Sequence, residues 1–334
     1  MKDATIDSVA VIGAGAWGSA LANAIASQGR QVVIWAREAE VVESINRKRE
    51  NDIFLPGVTL APSIRATGDI ADVASADAVF LAAPAQHIRN TAMALASCVG
   101  ERSPILVLCA KGIEEGSLKL LSQVLDEIFN DINAVALSGP TLAGEVARGL
   151  PTALVVACEN EDTGKAVMEV VHGAALRPYL SDDITGVQIG GALKNIFAIA
   201  CGIVIGRELG ENAHAALLSR GFAEMLEYGS AVGARRETLM GLSGLGDLVL
   251  TCNARTSRNM SLGMALGRGE SLEEVLKRRR SVSEGVFTAR AACDLGGKLG
   301  VSMPIIEALS GVLFAGESVD TGIERLLARP LRRE

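Results

Sequence analysis

Short apolar runs alternate with helix-length segments over roughly the first 185 residues, and this alternation restricts the possible folds more than any other feature of the 334-residue chain. The runs 79–83 and 105–109 are almost continuously apolar, as expected of strands that are covered on both faces. We therefore predict an α/β domain with a doubly wound parallel sheet. The predicted strands cover residues 8–12, 31–36, 78–83, 105–109, 134–137 and 152–157.

The rest of the chain has a different sequence pattern, with long Ala- and Leu-rich segments, Gly pairs and no convincing strand. A length of 334 residues also suggests two domains, at about 150 residues each. We predict an N-terminal α/β domain over residues 1–185 and an all-α domain over 186–334, with the active site in the cleft that separates them. Helices are predicted at 187–206, 213–232, 258–266, 272–277, 288–299 and 304–314.

Composition excludes several classes of function. The net charge is −7 and the Lys and Arg residues are scattered, so no broad cationic surface for nucleic acid is expected. Six widely spaced cysteines and three histidines give no metal-binding pattern, and they suggest reduced thiols in a cytoplasmic protein. The segment 184–206 resembles a membrane span, but Lys194 at its centre favours a buried core helix, so we predict no integral membrane segment.

A glycine-rich loop joins the first predicted strand to the first predicted helix, with the pattern Gly13-Ala-Gly15-Ala-Trp-Gly18. The first Gly permits a tight turn, the second lets the backbone approach a pyrophosphate, and the third allows close helix–strand packing. An ordinary structural turn is the alternative. In this strand–helix context we predict a Rossmann-type domain that binds a dinucleotide.

The end of the second predicted strand bears on the choice between NADH and NADPH. Arg37 stands where an NAD-preferring site has an acidic residue, and a guanidinium there can pair with a 2′-phosphate. This slightly favours NADPH. The adjacent Glu38 leaves the preference open, and Arg37 could instead be an exposed residue at a helix start.

Lys194-Asn195 lies in the middle of an apolar, Gly-rich helical segment. A lysine there costs desolvation unless it is partnered, and desolvation lowers its pKa toward a range useful for proton transfer to or from a carbonyl/alcohol pair. The alternative is a lysine at the helix edge that extends its ammonium into solvent. We predict a general acid or base.

Other polar groups interrupt apolar sequence in the same way. Lys111 and the turn 138–141 each follow a predicted strand, where open α/β sheets bind ligands, although ordinary turn chemistry would explain them too. Asp247 could hold Lys194 or cap a helix, and the segment 256–259 could be an anion clamp or a capped helix start with an exposed Arg. Together these residues predict a small phosphorylated ketone or alcohol as substrate.

Over nearly its whole length the chain resembles the bacterial-type NAD(P)-dependent glycerol-3-phosphate dehydrogenases. The resemblance is carried, in order, by VIGAGAWGSALA, FLPG, AKGIE, LSGPTLAGE, GVQIGGALKNIFAIACGI, GLSGLGDLVLTC, SRN and SEG. It implies a Rossmann domain followed by a helical domain. It also implies reversible reduction of dihydroxyacetone phosphate to sn-glycerol 3-phosphate by NADPH or NADH, which supplies glycerophospholipid synthesis.

The resemblance further implies roles for the residues that match the family's motifs. Lys194 is expected to donate and accept the proton, with Lys111 beside it on the substrate and Asp247 in support. The positions expected to bind substrate are Lys111, Gly139, Thr141, Asn195, Thr251, Ser257, Arg258 and Asn259. The positions expected to bind the cofactor are Gly13, Gly15, Ala16, Trp17, Gly18, Arg37, Lys111, Ala143, Arg258 and Glu284.

The sequence departs from the family's pattern in small ways, with Ser283 in place of Val in VEG and Cys109-Ala110 before Lys111. Hydroxyacid and 6-phosphogluconate dehydrogenases are alternatives, but they lack GDLVLTC followed by SRN. A catalytically silent NAD(P) sensor is a third possibility, although it needs no buried proton donor. A homodimer is expected, because apolar helical domains often associate.

Overall fold

A computed structural model describes residues 6–129, 132, 134–278 and 283–330. They form two compact units, the first comprising the chain up to Lys111 with Lys119–Gln188, and the second comprising Gly112–Leu118 with the chain from Ile189 onward. The sequence predicts one boundary, near residue 185. It does not predict that residues 112–118 form an excursion of the chain into the second unit. Within that excursion Ile113 is fully buried, and the Glu115 carboxylate lies 4.0 Å from the guanidinium of Arg290 in the second unit.

The first unit contains one sheet, to which the described residues contribute eight strands in the order β3-β2-β1-β4-β5-β6-β7-β8. The strands are β1 (Val9–Ile12), β2 (Val32–Trp35), β3 (Ile64–Thr67), β4 (Ala78–Leu81), β5 (Ile105–Leu108), β6 (Ala134–Ser138), β7 (Thr152–Ala157) and β8 (Leu176–Ser181). All neighbours are parallel except β6 and β7, which are antiparallel. A parallel connection needs a long crossover, and the link from β6 to β7 holds only the short helix Ala143–Ala147.

The two edge strands, β3 and β8, were not predicted from the sequence. β3 reads IRAT, and β8 reads LRPYLS with its first four residues alternating between buried and exposed. Edge strands tolerate charged residues and Pro178 because one side of the strand makes no ladder hydrogen bonds. These strands therefore lack the continuous apolar run from which the inner strands are recognisable.

Helices cover both faces of this sheet, which confirms the predicted doubly wound α/β class. Val9 and Val11 pack into one apolar cluster, while Ala10 and Ile12 pack into another, as the two-residue period of a strand requires. The helices are α1 (Ala16–Ala26), α2 (Ala39–Lys48), α3 (Ile88–Val99), α4 (Leu121–Asp126), α5 (Ala143–Ala147) and α6 (Glu161–Val171).

The described chain from Ile184 onward is helical and contains no strand, as predicted. The helices are α7 (Ile184–Gly206), α8 (Glu211–Ala231), α9 (Arg236–Leu239), α10 (Asp247–Asn253), α11 (Arg258–Gly267), α12 (Leu272–Lys277), α13 (Glu284–Leu299), α14 (Pro304–Phe314) and α15 (Val319–Leu327). A short π-helical turn, Leu242–Gly246, precedes α10.

The long helix α7 packs against α11 backbone to backbone. A Cβ atom added to Gly202 would overlap the carbonyl oxygen of Met260, and one added to Gly263 would overlap that of Ile199. Among the described helices, α7 alone is long and apolar enough to meet a criterion for a membrane span, and 89% of its most apolar window is buried inside the structure. The buried core helix of a globular protein meets the same criterion.

Candidate active site

The glycine-rich loop follows β1 and leads into α1. Gly13 has φ +108°, and a Cβ atom on Gly18 would overlap the carbonyl oxygen of Gly13, so both positions require glycine for the fold itself. Gly15 is different, because a Cβ atom there would meet nothing within 4 Å. As the N-cap of α1, Gly15 offers no side chain to the first-turn N–H groups. An open approach to these donors fits the pyrophosphate of a dinucleotide.

A buried asparagine that sequence reasoning missed supports this loop. The side-chain amide of Asn51 donates to the carbonyl oxygen of Ala14 and to Oγ of Ser19, both at 2.8 Å. Asn51 is fully buried. The sequence feature that could have pointed to Asn51 is the neighbouring FLPG segment, because an apolar segment with Pro and Gly in a charged stretch indicates an ordered turn.

The end of β2 carries the two residues that bear on cofactor choice. The Arg37 side chain is 76% exposed, and its Nη2 lies 2.8 Å from Oε1 of Glu38. A second hydrogen bond, from Nε of Arg37 to the same oxygen, measures 3.1 Å. The guanidinium is therefore accessible to a ligand, and a carboxylate partner already faces it.

Lys111 and the turn after β6 meet at the carboxyl ends of two neighbouring parallel strands. Nζ of Lys111 donates to the carbonyl oxygen of Gly139 at 3.0 Å, and Oγ1 of Thr141 donates to the same oxygen at 3.2 Å. Position 139 also requires glycine for packing alone, because a Cβ atom there would lie 2.8 Å from Cα of Leu154. Ala143 begins α5 just beyond this turn.

In the second unit, Lys194 forms a buried ion pair with Asp247. Nζ of Lys194 donates to Oδ1 of Asp247 at 2.7 Å and to Oγ1 of Thr251 at 2.9 Å. Lys194 is 8% exposed and Asp247 is fully buried. This geometry excludes the alternative in which the lysine extends into solvent. The carboxylate supplies the partner that a buried ammonium group needs.

The local structure explains why these three groups converge. Asp247 is the first residue of α10, which continues directly from the π-helical turn Leu242–Gly246, and Thr251 follows one turn later on the same face. Oγ1 of Thr251 donates to the backbone carbonyl of Asp247 at 2.7 Å and can therefore accept from Lys194. Next to it, a hydrogen bond with Cys201 and burial raise the pKa of the Cys252 thiol, so this thiol stays protonated beside the ion pair.

Asn195 and Asn259 bind each other. Nδ2 of Asn259 donates to Oδ1 of Asn195 at 2.8 Å, and Oδ1 of Asn259 accepts from the backbone N–H of Gly285 at 3.1 Å. The two asparagines thereby link α7, α11 and the start of α13, where Glu284 is the first helical residue. Both amides are buried.

The segment before α11 is a capped helix start that also exposes a cation. Oγ of Ser257 accepts from the backbone N–H of Met260 at 3.4 Å, as an N-cap residue does. Arg258 is the first helical residue and is exposed. The helix-cap alternative is thus correct for Ser257, and a guanidinium beside a helix N-terminus remains suited to an anion.

The predicted residues are therefore divided between the two units, and hydrogen bonds join several of them, namely Lys111 and Thr141 to Gly139, Lys194 to Asp247 and Thr251, and Asn259 to Asn195. The first unit holds Gly13, Gly15, Ala16, Trp17, Gly18, Arg37, Lys111, Gly139, Thr141 and Ala143. The second unit holds Lys194, Asn195, Asp247, Thr251, Ser257, Arg258, Asn259 and Glu284. The roles of these residues stay predictions.

Two family models match the chain in succession. Residues 8–164 match the N-terminal model of NAD-dependent glycerol-3-phosphate dehydrogenase, and residues 183–324 match the C-terminal model of the same family.

Individual relatives agree with these matches. The chain is 54% identical to glycerol-3-phosphate dehydrogenase [NAD(P)+] of Parvibaculum lavamentivorans over 98% of each chain, and 50% identical to that of Caulobacter vibrioides over 99% of each. A crystal structure of glycerol-3-phosphate dehydrogenase from Coxiella burnetii superposes with a TM-score of 0.93 at 33% identity. That match covers 98% of this chain and 100% of the other.

Proposed function

Because the chain belongs to the NAD-dependent glycerol-3-phosphate dehydrogenase family, with NADPH or NADH as cofactor, we propose that it interconverts dihydroxyacetone phosphate and sn-glycerol 3-phosphate with Lys194 as the proton donor and acceptor. The cofactor, when bound, supplies or takes the hydride at C2. The single observation that carries the proposal is the buried ammonium of Lys194, which Asp247 and Thr251 hold at 2.7 and 2.9 Å.

Lys194 is proposed to protonate the oxygen that develops at C2 during reduction, and to take that proton back in the reverse direction. Asp247 stabilises the ammonium before transfer and fixes its position. Burial of the pair strengthens its electrostatic effect, because little water is present to screen it. Thr251 restricts the orientation of the lysine further.

Arg258 is proposed to bind the substrate phosphate. It stands at the N-terminus of the ten-residue helix α11, so that both the guanidinium and the helix dipole favour an anion. Asn195 and Asn259 are proposed to line the substrate, with their amides fixed by each other. Phosphate binding then orients C2 toward the hydride donor, which is how binding energy from a remote group lowers a barrier.

The loop 13–18 and the N-terminus of α1 are proposed to bind the cofactor pyrophosphate. Arg37 is proposed to favour NADPH slightly, and Glu38 to keep NADH usable. Lys111 is proposed to contact substrate and cofactor beside the Gly139–Thr141 turn. We also propose that the product supplies glycerophospholipid synthesis. A homodimer and a cytoplasmic location stay predictions.

The test follows nicotinamide absorbance with dihydroxyacetone phosphate and either NADPH or NADH, using unphosphorylated dihydroxyacetone as the control substrate. We expect oxidation that depends on the phosphate. Arg37→Ala should raise KM for NADPH and leave KM for NADH nearly unchanged. If either cofactor binds but neither is oxidised, the proposed reaction is wrong, and a sensor or another substrate must be considered.

A further inference from the structure

We propose that Asn51 is a positioning residue for the cofactor, acting through the carbonyl group of Ala14 in the glycine-rich loop. The proposal rests on the proposed role of this loop as the pyrophosphate site. It assigns a function to the FLPG segment, which the reaction itself leaves unexplained.

The first observation is the place at which Asn51 acts. Ala14 lies between Gly13 and Gly15, and glycine has a wider choice of backbone conformation than any other residue. The Asn51 amide donates to the Ala14 carbonyl at 2.8 Å and to Oγ of Ser19, in the first turn of α1, also at 2.8 Å. One side chain thus ties the loop to the helix whose first-turn N–H groups are proposed to bind the pyrophosphate.

The second observation is that Asn51 is itself held on its remaining side. Its Oδ1 accepts from the backbone N–H of Phe54 at 3.1 Å, and its backbone carbonyl accepts from the N–H of Leu55 at 2.9 Å. Asn51 and Leu55 also form an isolated antiparallel bridge. The beginning of FLPG therefore builds the turn that orients the amide, so that one donor points at the loop and the other at α1.

Full burial makes these bonds effective. Asn51 is 0% exposed, so water cannot replace a lost donor without a rearrangement. Asparagine fits because it supplies two donors and one acceptor from a single short side chain. An aspartate would keep the bond from Phe54 but would lose both donated bonds and would face the Ala14 carbonyl with negative charge.

The experiment compares Asn51→Ala and Asn51→Asp with Asn46→Ala in the full-length protein. Asn46 is the control, because its side chain makes two hydrogen bonds of 2.9 Å with the backbone of Ala66 in β3 and makes none with the loop. It is exposed whereas Asn51 is buried, so the comparison between the two positions rests on KM and not on the size of the change in Tm. KM and kcat are measured with NADPH and with NADH, Kd by nicotinamide fluorescence, and Tm by thermal unfolding.

We expect both Asn51 variants to raise KM and Kd roughly tenfold or more, from the loss of two buried hydrogen bonds, with kcat changed far less. The increase should be equal for NADPH and NADH, since the loop binds the pyrophosphate that both share. Asn46→Ala should lower Tm and leave KM unchanged. Equal KM values in wild-type protein and Asn51→Asp, or equal increases in the Asn51 and Asn46 variants, would overturn the proposal.

These results are distinguishable from a failure of the proposed function itself. If wild-type protein binds neither cofactor, the role of the whole loop is wrong. If wild-type protein binds and the Asn51 variants bind equally well, only the positioning role is wrong. Should Asn51→Ala fail to fold, Asn51→Asp retains the shape of the side chain and the bond from Phe54 and carries the test.

Discussion

At the scale of single residues, the burial of a complete ion pair governs the chemistry of the second unit. Burying either charge alone costs a large desolvation free energy, and the ion pair between Lys194 and Asp247 offsets much of that cost. Removal of either residue therefore leaves an uncompensated buried charge. Lys194→Ala should therefore lower kcat by about 10²–10⁴-fold, the usual contribution of general acid–base catalysis. NADPH binding, measured by fluorescence, should persist.

Two variants separate catalysis from stability at this site. Lys194→Met with Asp247→Asn removes both charges, and it should recover part of the Tm lost in Lys194→Ala without recovering kcat. Lys119→Met, which changes a lysine of a partly exposed ion pair with Glu127, is the control. Unchanged turnover in Lys194→Ala would refute the assignment of the proton donor.

Arg258 makes a separate prediction about the substrate. Arg258→Ala should lower kcat/KM for dihydroxyacetone phosphate by about 10–100-fold, as expected for a lost charge-assisted hydrogen bond. Any residual oxidation of NADPH with unphosphorylated dihydroxyacetone should not change. Arg255→Ala is the control, since Arg255 is an exposed arginine just before the helix. An equal loss with both substrates would contradict the phosphate role.

At the scale of elements, glycines set how closely α7 and α11 approach. Gly263→Ala would place a methyl group against the carbonyl oxygen of Ile199, and neither backbone has a side chain that could move away. We expect a loss of about 1–3 kcal/mol in the free energy of unfolding, with reduced kcat/KM because Arg258 begins α11. Gly297→Ala, in open space on α13, should instead stabilise the protein.

Another contact of elements predicts a pH dependence of stability. Glu224 on α8 is buried and accepts the N–H groups of Ile305 and Ile306 at the start of α14, at 2.8 and 3.3 Å. Burial raises the pKa of Glu224 to about 7, Glu307 adds to this effect, and the backbone hydrogen bonds and Arg329 oppose it. The folded state therefore binds this proton more tightly than the unfolded state does.

The sign of the effect follows from that difference. The stabilisation is complete below the unfolded pKa of about 4.5 and is lost as the pH rises to about 7, by an amount on the order of 3 kcal/mol. Glu224→Gln should remove this part of the pH dependence, so that its Tm relative to wild type increases from pH 5 to pH 8. Glu227→Gln, which changes an exposed residue of the same helix, should not. Parallel Tm curves for wild type and Glu224→Gln would rule out the effect.

At the scale of the whole molecule, the sequence was informative where a pattern is local. Each inner strand is a short apolar run, the glycine loop has a fixed spacing of glycines, and α7 is a long apolar segment. All three patterns are visible in consecutive residues. β3 and β8 do not, because an edge strand needs neither a continuous apolar sequence nor freedom from proline.

The same limit applies to the candidate site. Lys194 was recognisable as a charge that needed a partner, and Asp247 as a candidate for that partner. Asn51 was not recognisable, because its two acceptors lie 37 and 32 residues away in the chain and only the folded turn brings them within reach. The mutual bond of Asn195 and Asn259, 64 residues apart, depends in the same way on the packing of two helices.

The excursion of residues 112–118 into the second unit affects how this architecture could be recombined. Consider a chimera that joins the first 188 residues of one relative to the remainder of another. Its helical unit would contain residues 112–118, here called the strip, from the first parent and all its other residues from the second. With a single crossover, Ile113 and Glu115 from one parent would therefore have to pack against helical residues from the other parent. A clean exchange of helical units requires the strip to be transferred as well.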